Sequence, residues 1–147
     1  MPRPVTPLCG CDAFVLNHEK KILLIRRADN GLWAMPGGLQ NTDETPVQCT
    51  VRECFEETGF KIRVTRLVGV WSSLGRERPN DPYKHTVYTH LVYQGEWLGG
   101  SATPSDETTD IRWFGENELP QLSDGHDLRI AFGFRQDKEP GLPPYFE

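Results

Sequence analysis

The sequence has 147 residues, 21 acidic against 16 basic for a net charge of −5, with 37% hydrophobic residues, 14 Gly and 12 Pro. That length suits one domain whose core closes without disulfides or a structural metal, and the acidic balance excludes the basic footprint that grips duplex nucleic acid. No apolar run approaches the roughly 20 residues of a membrane-spanning helix and no leader-like segment opens the chain, so a soluble, cytoplasmic protein with no membrane partner is expected.

Pro2, Pro4 and Pro7 predict an extended start. Strand signals follow at Cys11 to Leu16 and at Lys21 to Arg26, with His18 and Glu19 placed for a tight hairpin. Thr45-Pro46-Val47-Gln48 is a capping box with proline at the first helical position, and Gly59 stands where a C′ glycine belongs, which predicts a helix from Pro46 to Thr58. Further strands are expected at Thr65 to Trp71, Thr86 to Tyr93 and Ile111 to Phe114. A second helix is expected from about Asp124 to Arg135, started by Ser123 and repeating Leu128, Ala131, Phe132 and Arg135, with Gly133 a weak point inside it. Pro140, Pro143 and Pro144 predict a second extended tail. No repeat or linker divides this order, and strands interrupted by helices at such intervals imply a mixed sheet with helices packed on it. Cys9, Cys11, Cys49 and Cys54 form no C-x-x-C and have no histidine at metal-site spacing, so reduced, mostly buried thiols are expected.

The charge is unevenly spread. From Asn41 to Phe60, five acids stand against one base, a local −4. On a helix, Val47, Val51, Cys54 and Phe55 would form one face and Glu53, Glu56 and Glu57 the opposite one. Like charges at i,i+3 and i,i+4 destabilise an isolated helix by about 0.2–0.5 kcal/mol per pair, and two of these acids sit at the end where the helix dipole disfavours them. Either the face is simply solvated, or a cation visits it, and clustered carboxylates are hard ligands suited to Mg²⁺ or Mn²⁺. Arg26 and Arg27 end a strand and point to opposite faces, so one of them is placed to reach a phosphate. Trp33 and Trp71 are either base-stacking or core residues. The segment from Arg76 to His85, with Tyr83 and Lys84, is either an exposed loop or one that stacks a base and holds a terminal group. His85 and His90 have no ligand spacing and receive no role.

Gly38, Glu44 and Arg52-Glu53-Cys54-Phe55-Glu56-Glu57-Thr58-Gly59-Phe60 have the spacing G-x₅-E-x₇-R-E-U-x-E-E-x-G-U, U being apolar, and resemble the signature of the Nudix hydrolases at every fixed position. Cys54 is smaller than the aliphatic residue usual at its place. Gly31 to Gly38 and Ile111 to Pro120 also look like the family's segments, so the resemblance extends over most of the chain. It implies an α/β fold, a Nudix-like α/β/α sandwich with a mixed β-sheet, as one domain with its core at about residues 8–136. It further implies Mg²⁺-dependent (Mn²⁺ possible) hydrolysis of the diphosphate linkage in a nucleoside di- or triphosphate or a nucleotide sugar such as ADP-ribose.

By the same resemblance Glu56 and Glu57 would be the main metal ligands, and Glu53 a further ligand or the base that orients water, so that Glu53 and Glu57 are the candidate catalytic residues. Gly37 would offer its backbone carbonyl to metal, since only a residue without Cβ lets the backbone approach so closely. Glu44 and Arg52 would pair to tie the loop to the helix, and Glu107, or its neighbour Asp106, would complete the metal site. Arg27, Trp33 and Gly38 are the candidate substrate contacts. The proline that ADP-ribose members carry soon after the signature is not at that place, Pro79 being later. The expected partner is a small nucleotide, with a homodimer the commonest assembly. A second reading is a Nudix-fold sensor module that binds nucleotide without turnover, although such modules usually lack one or more carboxylates that this signature keeps.

Overall fold

The computed structural model describes residues 7–81 and 84–147, so Pro2, Pro4 and Tyr83 lie outside the described residues. β1 (Leu8–Leu16) turns into β2 (Ile22–Arg27). The turn is built by Asn17, whose side chain accepts the N–H groups of Glu19 and Lys21, while Lys20 takes a left-handed φ of 59°. Two short strands, β3 (Trp33–Ala34) and β4 (Gly37–Leu39), lie in a segment that reads as loop. α1 (Pro46–Thr58) has the predicted bounds: Thr45 Oγ1 accepts the Gln48 N–H at 3.1 Å, Gln48 Oε1 accepts the Thr45 N–H at 2.9 Å, and Gly59 ends the helix at φ 78°.

β5 (Phe60–Ser72) and β6 (Tyr88–Gly100) are far longer than their predicted cores, and β7 (Thr108–Phe114) leads through a 3₁₀ turn to α2 (His126–Lys138). The sheet runs β3-β2-β1-β6-β5, with β4 joined to β1 and β7 to β2. β1 and β6 pair in parallel from Leu8↔Tyr88 to Leu16↔Glu96, while the other strand pairs are antiparallel. Alternation along β1 sends Ala13 and Val15 to one face, where Leu23, Cys54 and Ile62 join them under α1. Phe14 goes to the other face, with Leu24, Val92, Ile130 and Phe134 under α2. The result is the expected α/β/α sandwich on a mixed sheet.

Both helices are rolled away from their predicted faces. In α1 the buried residues are Cys49, Thr50, Cys54, Glu57 and Thr58, whereas Val47 is 39% and Phe55 50% exposed. The helix lies so close to β1 and β4 that small side chains fill the seam; a Cβ on Gly38 would come within 2.5–2.7 Å of the Glu53 carboxylate. In α2, Leu128, Ala131 and Arg135 face solvent, and Arg129, Ile130, Gly133, Phe134 and Gln136 are buried. Gly133 rests on Phe14, and a Cβ there would meet the ring at 2.5 Å. Ser123 does not start α2: the helix begins at His126 with Gly125, at φ 81°, as its N-cap and no side-chain cap, while the Ser123 N–H pairs with the Trp33 carbonyl at 2.7 Å.

The C-terminal segment is no free tail. The Tyr145 N–H donates to the Val68 carbonyl and its own carbonyl accepts the Val70 N–H, which lays the chain along the outer edge of β5. Cys9, Cys11, Cys49 and Cys54 are all free thiols, and burial pushes Cys49 and Cys54 up to about 12, so neither supplies thiolate near neutral pH. Among the described residues no helix is long and apolar enough to cross a membrane.

Candidate active site

The roll of α1 turns one carboxylate inward. Glu57 is 6% exposed, its Oε1 accepts the Gly37 N–H at 3.2 Å, and burial, then the neighbouring Glu53, push its pKa up to about 9. Glu53 and Glu56 are differently placed. Arg52 Nη1 donates to Glu53 Oε1 at 2.8 Å and to Glu56 Oε2 at 3.1 Å, and the Glu56 side chain is 55% exposed. The same guanidinium forks onto Glu44, Nε to Oε2 at 2.8 Å and Nη2 to Oε1 at 2.6 Å, and its hydrogen bonds hold the Glu44 carboxyl down at about 2. The pair predicted to tie loop to helix is therefore present. Arg52 is also a cation on the acidic face, which sequence reasoning did not foresee. Glu57 alone of the three helix acids has no basic group within salt-bridge distance among the described residues.

Glu57 and Glu53 open into a cavity of about 790 Å³ together with Gly37, Gly38 and Arg27. Asp106 and Glu107 reach the same cavity from its exposed rim. Glu56 is not on the cavity wall. Among the described residues no three His, Cys, Asp or Glu side chains converge as a ready metal cage. The donors do fit a hard divalent ion in kind: a buried carboxyl lacking a cation, a second carboxylate beside it, and a glycine turn that leaves backbone open. At Gly37 a Cβ would collide with Asp12 Oδ1 and the Cys11 carbonyl oxygen.

The two strand-end arginines separate as alternation requires. Arg26 is exposed and donates to the Gly31 carbonyl, whereas Arg27 faces the cavity with Nε and Nη2 on the Asp29 carboxylate at 2.9 and 2.6 Å. Trp33 lies outside the cavity wall, edge-on to Phe114 at 5.0 Å with the Arg112 guanidinium over its ring. Trp71 is likewise core, stacked on Tyr145. Of the described residues between Arg76 and His85, only Asp81 lines this cavity.

The inner wall includes Asp12, His90 and His126, none of which carried a role on the sequence alone. Asp12 on β1 accepts from Arg129 Nη1 of α2 at 2.8 Å; burial raises the Asp12 pKa and Arg129 opposes the rise. His90 on β6 stacks on Tyr88, stands 4.0 Å from Asp12 Oδ2, and is pushed down to about 3 by burial and by Arg129 and Arg78. His126 opens α2 against Met35. These residues lie far apart in the chain and share no local pattern. The one available signal was an acid, Asp12, in the middle of an otherwise apolar strand.

Residues 9–132 match the NUDIX domain family. A MutT-like protein of Streptomyces ambofaciens is 35% identical over 119 residues, which cover 79% of this chain and 70% of that protein. An ADP-ribose pyrophosphatase of Methanocaldococcus jannaschii is also 35% identical over 119 residues, covering 79% of this chain and 67% of that protein. The crystal structure of a UDP-X diphosphatase superposes with a TM-score of 0.84 at 28% identity, over 99% of this chain and 70% of that one. A signature helix that turns Glu53 and Glu57 into a cavity on an α/β/α sandwich is the architecture of a nucleotide-processing hydrolase. The chain belongs to the Nudix hydrolase family.

Proposed function

We propose that this chain is a divalent-metal-dependent pyrophosphohydrolase that cleaves the diphosphate linkage of a nucleoside diphosphate derivative. The observation that carries the reading is Glu57, a buried carboxyl with no basic group within salt-bridge distance among the described residues, facing a cavity beside Glu53 and the Gly37–Gly38 turn. Mg²⁺ or Mn²⁺ would be held by the Gly37 carbonyl, Glu53, Glu56 and Glu57, with Glu107 from the rim, Glu56 exchanging its contact with Arg52. An ion held there would supply neutralisation of the diphosphate charge and a lowered pKa for the attacking water. Glu53 would be either a further metal ligand or the base that orients that water and takes its proton. Arg27 holds a non-bridging phosphate oxygen, and Gly38 lets the substrate approach the backbone closely. Arg52 and Glu44 keep the loop and the helix in register.

The names of the two pyrophosphate-cleaving relatives support a nucleoside diphosphate joined to a second group, with ADP-ribose and nucleotide sugars the compounds to try first. A net charge of −5 supports a free nucleotide over a duplex. The reading takes residues 8–136 as one catalytic domain, working in the cytoplasm, with a homodimer as the assembly to look for. The sensor reading is disfavoured because Glu44, Glu53, Glu56, Glu57 and Arg52 are all kept. The test is nucleotide release from a panel of nucleoside diphosphate compounds with Mg²⁺ or with excess chelator. Turnover that disappears with chelator is expected; undiminished turnover would refute the metal, and tight binding without turnover would support the sensor.

A further inference from the structure

The ring of His126, 7% exposed as a residue, accepts the Met35 N–H at Nδ1, 3.2 Å away. An accepting Nδ1 places the proton on Nε2. Nε2 makes no hydrogen bond to the described residues and is not sealed away from solvent, and the ring forms part of the cavity wall. Burial, then the charges of Arg129, His90 and Arg27, hold the ring well below the ordinary histidine range, and the positive end of α2 acts in the same direction. His126 is thus a fixed, neutral donor at the mouth of a helix, the arrangement that polarises an oxygen without delivering a proton. A packing role needs only an acceptor for the Met35 N–H, which Nδ1 supplies, and the Nε2–H remains available to a molecule in the cavity.

The neighbours say which oxygen it meets. The ring is bonded to Met35, two residues before Gly37, whose N–H is held by Glu57, and it lines the same cavity as Arg27, Glu53 and Glu57, so the imidazole shares the carboxylate end of that cavity. The acceptors that must be accommodated at that end are the phosphate oxygens. We infer that His126 is a substrate-binding residue whose Nε2–H donates to a non-bridging oxygen of the substrate diphosphate, beside Arg27. This rests on the pyrophosphohydrolase reading above.

Two variants divide the donor from the scaffold role. His126→Asn keeps an acceptor for the Met35 N–H and removes the donor; His126→Gln can return an amide N–H to the Nε2 position. With a neutral donor to an anion lost, kcat/KM for the best panel substrate should fall about 10- to 100-fold in the Asn variant at unchanged Tm, and recover in part in the Gln variant. In the wild-type protein, the His126 Nε2–H proton resonance should shift on addition of imidodiphosphate with Mg²⁺, and stay in place with adenosine or uridine. Wild-type turnover together with full activity of His126→Asn, or a shift with nucleoside alone, would overturn the inference and leave the hydrolase reading standing. No wild-type turnover on any panel compound would overturn that reading and the inference with it.

Discussion

In the proposed reaction Glu57 serves catalysis at the expense of stability, and the substitution Glu57→Gln separates the two. An ordinary glutamate carboxyl titrates at 4.5, and in the metal-free fold Glu57 is raised to about 9. The sign follows directly. Its contribution to stability is fully present below about pH 4.5, where folded and unfolded chains both hold the proton, and is lost as pH rises through about 9. At about pH 7.5 the fold must retain a proton that the unfolded chain releases, roughly three pKa units, or up to about 4 kcal/mol. Relaxation around a carboxyl at the edge of a cavity reduces this, and about 2 kcal/mol is the working figure. Glutamine preserves the hydrogen bond from Gly37 and carries no such cost. In chelator, Glu57→Gln should therefore melt about 4–8 °C above wild type near pH 7.5, with the gap closing toward pH 4. Mg²⁺ should raise the wild-type Tm and leave the variant unmoved, while kcat of the variant drops at least about 100-fold. Thermal melts from pH 4 to 9 with and without Mg²⁺ give the answer. A variant no more stable than wild type at pH 8 in chelator, or a gap that ignores pH, would refute the argument.

Two further substitutions probe the close approaches that shape the site. Gly37→Ala drives a Cβ into Asp12 Oδ1 and the Cys11 carbonyl; we expect about 1–3 kcal/mol lost in urea unfolding and turnover down by at least about tenfold, so wild-type activity would count against the placement of that turn. Gly133→Ala adds about 1 kcal/mol of helix propensity but pushes into the Phe14 ring at 2.5 Å, so a net loss of about 1–2 kcal/mol is expected, with kcat per folded molecule unchanged; a raised denaturation midpoint would show that α2 can slide.

Local chemistry made some elements legible and long-range packing hid others. The capping box at Thr45 and the left-handed Gly59 are complete within their own neighbourhoods, and α1 has the predicted ends. Its facing was misread because Val47, Val51 and Phe55 form the more apolar stripe, yet the close seam with β1 and β4 admits Cys49, Thr50 and Cys54 and brings Glu57 inward. The same conflict between pattern and site is expected where function is built into a helix. β5 begins at Phe60, before the expected Thr65: Lys61 and Arg63 break the apolar run, yet Phe60 and Ile62 alternate with them as an antiparallel strand requires. The Arg52, Glu44 and Glu53 contacts lie within one motif and were partly foreseen. Asp12, His90, His126 and Arg129 come together only through the β1–β6 pairing and the seating of α2, which no window of sequence contains.

The parallel register of β1 with β6 also governs the order in which the chain can assemble. Leu8 must wait for Tyr88, some eighty positions later, before the middle of the sheet has a neighbour on both sides. Contacts of such sequence separation delay folding and leave apolar strands uncovered in the interval. On the ribosome, β1, β2 and α1 will emerge as an unfinished half whose inner edge stays open until more than half of the chain has been made, and that interval is when this protein most needs a chaperone.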